Sequence, residues 1–156
     1  MKVYHTSNTI VTCPDTTHSR EYLDFGKGFY VTTFREQAVK YGARFRIRGE
    51  QPILNTYEME IDHKLFKYKR FEQYDEDWLD FVAANRDGKI VEQYDIIEGG
   101  VANDKVFDTI DLYFAGRMSK SDALQKLAYL HPNVQICFHT EAAIQLLRFI
   151  ESEIIE

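Results

Sequence analysis

The pattern of apolar and polar positions predicts short strands mixed with helices. Lys2 to His5 reads as a short strand, and Ser7 to Asp24, with Asn8, Pro14, Asp15 and few apolar positions, as a polar loop. Phe25-Gly26-Lys27-Gly28 predicts a turn, and Phe29-Tyr30-Val31-Thr32-Thr33 a β-rich run leaving it. Phe34, Ala38, Tyr41 and Phe45 then recur at spacings of four, three and four, which is one face of a helix. Arg35, Lys40, Arg44, Arg46 and Arg48 lie around that face. Ile53 to Ile61 alternates around Leu54, Tyr57, Met59 and Ile61 and predicts a strand.

In the second half, Asp75 to Asn85 predicts a helix around Trp78, Leu79, Phe81 and Val82, ended by Asp87-Gly88. Tyr94 to Ile97 reads as a strand closed by Gly99-Gly100, and Val106 to Phe114 as a helix after Asn103-Asp104. Ser121 is the expected N-cap of a helix carrying Leu124, Leu127, Ala128 and Leu130. Val134 to Phe138 predicts a strand. Thr140 is expected to cap a last helix whose core face is Ala143, Leu146, Leu147 and Ile150, with the acidic tail 151–156 as its end. Strict βαβ alternation is absent, so the order of elements predicts an α+β fold rather than a doubly wound sheet.

Composition narrows the classes. A chain of 156 residues fits one domain and can bury a single core without disulfides. With 44% hydrophobic and 28% charged residues and only three prolines, it is not a disordered chain. The net charge of −6 argues against non-specific nucleic-acid binding over the whole surface but leaves open a local basic stripe. The first residues carry no apolar run such as a signal peptide needs, and no run of apolar residues is long enough to predict a membrane span. The two cysteines, Cys13 and Cys137, form no zinc or C-x-x-C spacing, and a reducing, cytoplasmic compartment is expected. His18, His63, His131 and His139 share no ligand spacing, so no metal site is expected.

The segment richest in candidate chemistry is Phe25-Gly-Lys-Gly-Phe-Tyr-Val-Thr-Thr with Gln37-Ala38-Val39-Lys40-Tyr41 behind it. Gly26 and Gly28 allow a tight turn and close approach to the backbone. Tyr30 on a strand and Tyr41 on a helix, eleven residues apart, suit two walls of an aromatic slot for a flat cationic ring. Tyr and Phe at these spacings more commonly serve core packing.

This segment resembles the nicotinamide-binding region of poly(ADP-ribose) polymerases and of diphtheria-toxin-like ADP-ribosyltransferases. Val3-Tyr4-His5-Thr6-Ser7 resembles the strand that opens those domains. Pro14-Asp15, Arg20, Asp24 to Tyr30, Val101 to Asp104 and Gln135 to Phe138 resemble a small bacterial family of uncharacterised domains grouped with them. The resemblance implies one ADP-ribosyltransferase-like domain over 1–156, a split antiparallel β-sandwich around an NAD-binding cleft with flanking helices. It implies NAD as co-substrate, without a metal, and transfer of ADP-ribose to a macromolecular acceptor inside the cell. A toxin-like role with a neutralising protein partner is implied too, and no membrane.

The resemblance also implies roles. His5 would bind the ribose beside nicotinamide, the backbone of Thr6, next to Ser7, would hold the carboxamide, and Tyr30 and Tyr41 would stack on the ring. Gly28 would let the cofactor approach, and Arg20 would clamp the pyrophosphate. Gln135 stands where the family has a Glu that stabilises oxocarbenium charge, and Ala38 where polymerases often have a Ser. Asn103 and Asp104 are candidates to face the cleft, Asp104 as a substitute acid, although they also suit an N-cap. His5, Tyr30 and Gln135 are expected to converge on one ribose. A catalytically silent NAD- or nucleotide-binding module, an RNA 2′-phosphotransferase using His5 and Arg20, and a purely structural interaction protein are the competing classes.

Overall fold

In the computed structural model the described residues are 1–17, 24–62, 64–89, 93–101, 104–129 and 133–156. The side chains of residues 104 and 105 lie outside that description. Seven strands and six helices are found among these residues. The strands are β1 (Lys2–Ser7), β2 (Phe29–Val31), β3 (Ile53–Glu58), β4 (Tyr68–Arg70), β5 (Ile96–Val101), β6 (Asn133–Phe138) and β7 (Arg148–Ile154). The helices are α1 (Arg35–Tyr41), α2 (Ala43–Ile47), α3 (Glu76–Arg86), α4 (Asp104–Phe114), α5 (Lys120–Leu127) and α6 (Glu141–Ile144). The fold is α+β, as the order of elements predicts.

The strands form two open sheets, one in the order β1-β3-β7 and one in the order β2-β6-β5-β4. All neighbours are antiparallel except β4 and β5, which run parallel. Alternation of side chains assigns the faces. Val3 and Tyr57 from the first sheet meet Phe29, Val31, Ile96, Ile136 and Phe138 from the second in one apolar cluster. The opposite face of the second sheet offers Ile97 and Cys137 to Trp78, Leu79 and Val82 of α3, Val106 and Ile110 of α4, and Leu127 of α5. Trp78 is fully buried, and its indole N–H donates to the Gly100 carbonyl at 2.7 Å. Ala38 of α1 packs with Leu54 and Ile155 in a third, smaller cluster.

Several sequence expectations change in the structure. The helix expected through Phe34 and Phe45 divides at Gly42, where Val39 and Pro52 crowd the position a side chain would need. Gly99 and Gly100 lie inside β5 rather than closing it. A Cβ on Gly99 would meet the Phe71 Cβ at 2.9 Å and the edge of the Phe25 ring at 3.3 Å, so the glycine lets both residues pack close against the strand. Ser119, not Ser121, caps α5, accepting from the Asp122 N–H. The last helix stops at Ile144, and Ile150 and residues 151–154 of the acidic tail belong to β7, paired along β3. Thr140 caps α6, as its cap signal suggests, and Asp75 caps α3 by accepting from the Trp78 N–H at 2.9 Å.

Candidate functional site

The two sheets touch edge to edge through a single antiparallel pair. The Tyr4 N–H donates to the Thr32 carbonyl at 2.8 Å, and the Thr32 N–H returns the bond to Tyr4 at 3.0 Å. In an antiparallel ladder such pairs recur every second residue, so the next pair would join Thr6 to Tyr30. That pair is not made. β1 and β2 part there, and the His5 ring bridges the gap. Its Nδ1–H donates to the Tyr30 carbonyl at 2.6 Å. The Thr6 N–H and C=O and the Tyr30 N–H are left facing the notch, with no hydrogen-bond partner among the described residues. The Thr6 hydroxyl donates to the Ala38 carbonyl and so fixes α1 against the floor of the notch.

His5 is half-buried, and its ring lies 4.2 Å from the ring of Phe29. Burial holds its pKa below the ordinary value, against the raising effect of the bond to Tyr30. The imidazole is therefore neutral at pH 7. A carbonyl can only accept, so the proton sits on Nδ1. Nε2 is then a bare acceptor, suited to a hydroxyl.

The Tyr30 side chain leaves β2 on the opposite face, against the cluster that holds Phe25 and Cys137. Its hydroxyl donates to the Gly26 carbonyl at 2.5 Å and accepts from the Phe25 N–H at 3.1 Å, closing the turn before it. Its ring runs nearly parallel to Phe25, 10° apart in plane. Burial, with Cys137 beside it, raises the phenol well above its usual pKa. Gly26 has φ of +85°, a conformation only glycine takes cheaply. Gly28 has a different reason. A Cβ there would sit 2.6 Å from Cys137 Sγ and 2.7 Å from the Phe138 carbonyl oxygen. On the side where a side chain would point, Gly28 packs directly against β6.

Residues that sequence reasoning missed hold this turn from outside. The Arg86 guanidinium donates to Asp24 Oδ1 from Nε at 2.8 Å and from Nη2 at 2.6 Å, with both side chains largely buried. Asn85 donates to the Asp24 carbonyl at 3.1 Å, and the Arg86 guanidinium also lies 4.3 Å above the Phe107 ring. His139 packs beside Gly26. Its Nε2 is buried without a hydrogen-bond partner among the described residues, and burial lowers its pKa. No local signal marks Asp24 and Arg86 as partners, because 62 residues separate them.

The other expected site residues are distributed as follows. Gln135 lies on β6 opposite Gly99, half-buried, on the face of Cys137 and diagonal to Tyr30. The His5 ring lies instead against Phe29, which faces the cluster between the sheets. The three expected partners thus do not share one face. Tyr30 links them, offering its carbonyl to His5 and its side chain to the face of Gln135. Tyr41 ends α1 with its ring against Phe45 at 5.9 Å and beneath Arg44 at 4.8 Å. No ring contact joins Tyr41 to Tyr30 among the described residues, so the expected two-walled slot is not closed. Ser7 ends β1, half-buried. Arg20 and Asn103, and the side chain of Asp104, lie outside the described residues.

Among the described residues no group of three or more His, Cys, Asp or Glu could hold a metal ion. No helix among them is long and apolar enough to cross a membrane. No curated protein and no solved structure matches the chain. A family model described as "Protein of unknown function (DUF3990)" matches residues 1–149. The chain therefore belongs to the DUF3990 family.

Proposed function

We propose that the protein is an NAD-dependent mono-ADP-ribosyltransferase whose nicotinamide site is the notch where β1 and β2 part. The observation that carries this reading is the missing Thr6–Tyr30 pair with His5 in its place. A primary carboxamide has one acceptor oxygen and an NH2 with two donor hydrogens. Thr6 offers a donor and an acceptor side by side on one strand edge, the complement of that group. The parting of β1 and β2 supports this reading, because a split between two sheets would open room for the cofactor. The bare Nε2 of His5 then accepts from a ribose hydroxyl next to the ring.

The reaction breaks the bond between the nicotinamide nitrogen and ribose C1′, with positive charge building on the ribose. Nicotinamide leaves as a neutral molecule, taking the bonding pair. A nucleophile on a macromolecular acceptor bonds to C1′ and loses its proton to solvent. Gln135 brings no negative charge, and its side chain lies on the sheet face opposite the His5 ring. Removing one stabilising group from a transition state typically costs about a hundredfold or more in rate. Turnover is accordingly slow, and polymer formation is not expected. A toxin-like role, with a second protein that neutralises the enzyme in the cytoplasm, belongs to the same reading.

The second reading is a catalytically silent NAD-binding module. It is favoured by Gln135 and by Ala38, which is buried and has no hydroxyl to offer a carboxamide. Nicotinamide release from NAD, followed by chromatography for wild type and His5→Ala, separates the two. Release that His5→Ala abolishes supports the transferase. NAD binding without release by the wild type supports the silent module.

A further inference from the structure

A stripe of alternating aromatic and arginine side chains runs down α1 and α2. Tyr41, Arg44, Phe45 and Arg48 follow one another at spacings of three, one and three, so they share one helical face. Gly42 at the joint keeps right-handed helical dihedrals (φ −58°, ψ −25°), so the face continues across it. The Arg44 guanidinium lies 4.8 Å above the Tyr41 ring and that of Arg48 5.1 Å above the Phe45 ring. Both arginines are exposed, Tyr41 is exposed and Phe45 half-buried.

The charges here are not internally neutralised to the same degree as those nearby. Residues 35–48 hold five basic side chains and one acid, Glu36, in a chain whose net charge is −6. Arg35 pairs with Glu153, and Arg46 donates to the Glu156 carbonyl. On the stripe, the only ion pair among the described residues is Arg48 with Glu50 at 3.8 Å, beyond hydrogen-bond length. Lys40, exposed beside Arg44, and Arg44 itself make none among the described residues.

The stripe also borders the notch. Ala38, one turn before Tyr41, receives the Thr6 hydroxyl, and Glu50 receives a hydrogen bond from Asn8, the residue after β1.

We propose that this stripe binds single-stranded nucleic acid. Phosphates suit Arg44, Arg48 and Lys40, and bases suit the guanidinium planes and ring edges between them. Arg44 and Arg48 stand about 6 Å apart along the helix, four residues at the usual rise. An acidic polypeptide would answer the charges and leave the stacking surfaces unused. The acidic remainder of the protein confines contact to the stripe, so few phosphates are neutralised and the salt dependence is shallow. The proposal does not depend on NAD turnover.

The test is fluorescence anisotropy with labelled single-stranded RNA and DNA dodecamers, a duplex of the same DNA, and poly-glutamate as competitor, all without NAD. With two to three phosphates neutralised, affinity should fall with a log–log salt slope of about −2, or about fifteenfold between about 50 and about 200 mM salt. Arg44→Glu/Arg48→Glu should abolish binding, and Tyr41→Ala should weaken it about tenfold. The milder Arg44→Gln/Arg48→Gln variant, with an unchanged circular dichroism spectrum, guards against a folding effect and should also bind more weakly. Absent binding at low salt, equal binding by the arginine variants, equal or tighter binding of the duplex, or displacement by poly-glutamate at far lower concentration than by RNA would each overturn the proposal.

Discussion

His5 and Tyr30 are joined through the main chain: the imidazole Nδ1–H of His5 reaches the Tyr30 carbonyl at 2.6 Å, where a continued ladder would have placed the Thr6 N–H. One bond thus holds the strands apart, sets the imidazole tautomer and leaves Thr6 open to a ligand. His5→Ala should therefore remove more than a side-chain contact. Nicotinamide release should fall at least about a hundredfold, the scale of losing one transition-state hydrogen-bonding group. Stability should drop by about 1–3 kcal/mol, since the Tyr30 carbonyl loses its hydrogen-bond partner. Steady-state release and urea denaturation of the same variant check the two figures.

Acid should destabilise the protein through two histidines. Burial lowers the pKa of both His5 and His139 in the folded chain. In the unfolded chain they titrate near about 6.5. Below that value the unfolded chain binds protons the folded chain refuses, so stability falls as pH drops through the lower folded values. Above about pH 6.5 their contribution is complete. Urea midpoints at about pH 7.5, 6.5 and 5.5 should fall across the last step, and His139→Gln should make that fall smaller. An equal fall in wild type and His139→Gln would remove His139 from the explanation.

Gly28 should tolerate no side chain. Its Cβ would lie 2.6 Å from a buried sulfur and 2.7 Å from a backbone oxygen in the neighbouring strand. Overpacking of this kind costs about 1–3 kcal/mol. Gly49 has φ of +76° but open space around it, so Gly49→Ala carries only backbone strain, about 1 kcal/mol. Denaturation midpoints should rank Gly28→Ala below Gly49→Ala.

The Asp24–Arg86 pair should be structural for the turn before Tyr30. Asp24 is 8% exposed, and removing the Arg86 guanidinium takes two charged donors from a carboxylate in a largely closed site. Breaking such a pair costs about 3 kcal/mol or more. Arg86→Ala should destabilise by roughly that amount, and Asp24→Asn combined with Arg86→Ala by less than the sum of the single changes. Thermal or urea unfolding of the three variants measures the coupling.

Local signals carried much of the fold. Trp78, Leu79 and Val82 at helical spacing, with Asp75 before them, specify α3, its buried side and its cap without help from the rest of the chain. β2 and β6 were legible as apolar runs. β7 was not, because Ala143, Leu146, Leu147 and Ile150 also satisfy a helical spacing. Strand pairing with β3, some 90 residues earlier, decides against the helix. Gly99 and Gly100 looked like a stop because nothing local announces that Phe71 will lie on the strand.

The site divides in the same way. His5, Thr6 and Tyr30 were marked by their motif, whereas the absence of their ladder pair, the Asp24–Arg86 clamp and the turning of Tyr41 toward Phe45 and Arg44 are tertiary facts.

In the proposed site, the notch between β1 and β2 takes a carboxamide. Amide chemical shifts of Thr6 and Tyr30, followed by two-dimensional NMR during titration with nicotinamide and with nicotinic acid, test it directly. Nicotinic acid keeps the ring but replaces the NH2 donors with a carboxylate, which the Thr6 carbonyl would repel. Nicotinamide should shift both amides in a saturable way, and nicotinic acid at least about tenfold more weakly, the loss of one hydrogen bond with an unpaired acceptor left behind. Unmoved Thr6 and Tyr30 amides, or equal binding of the two compounds, would contradict it.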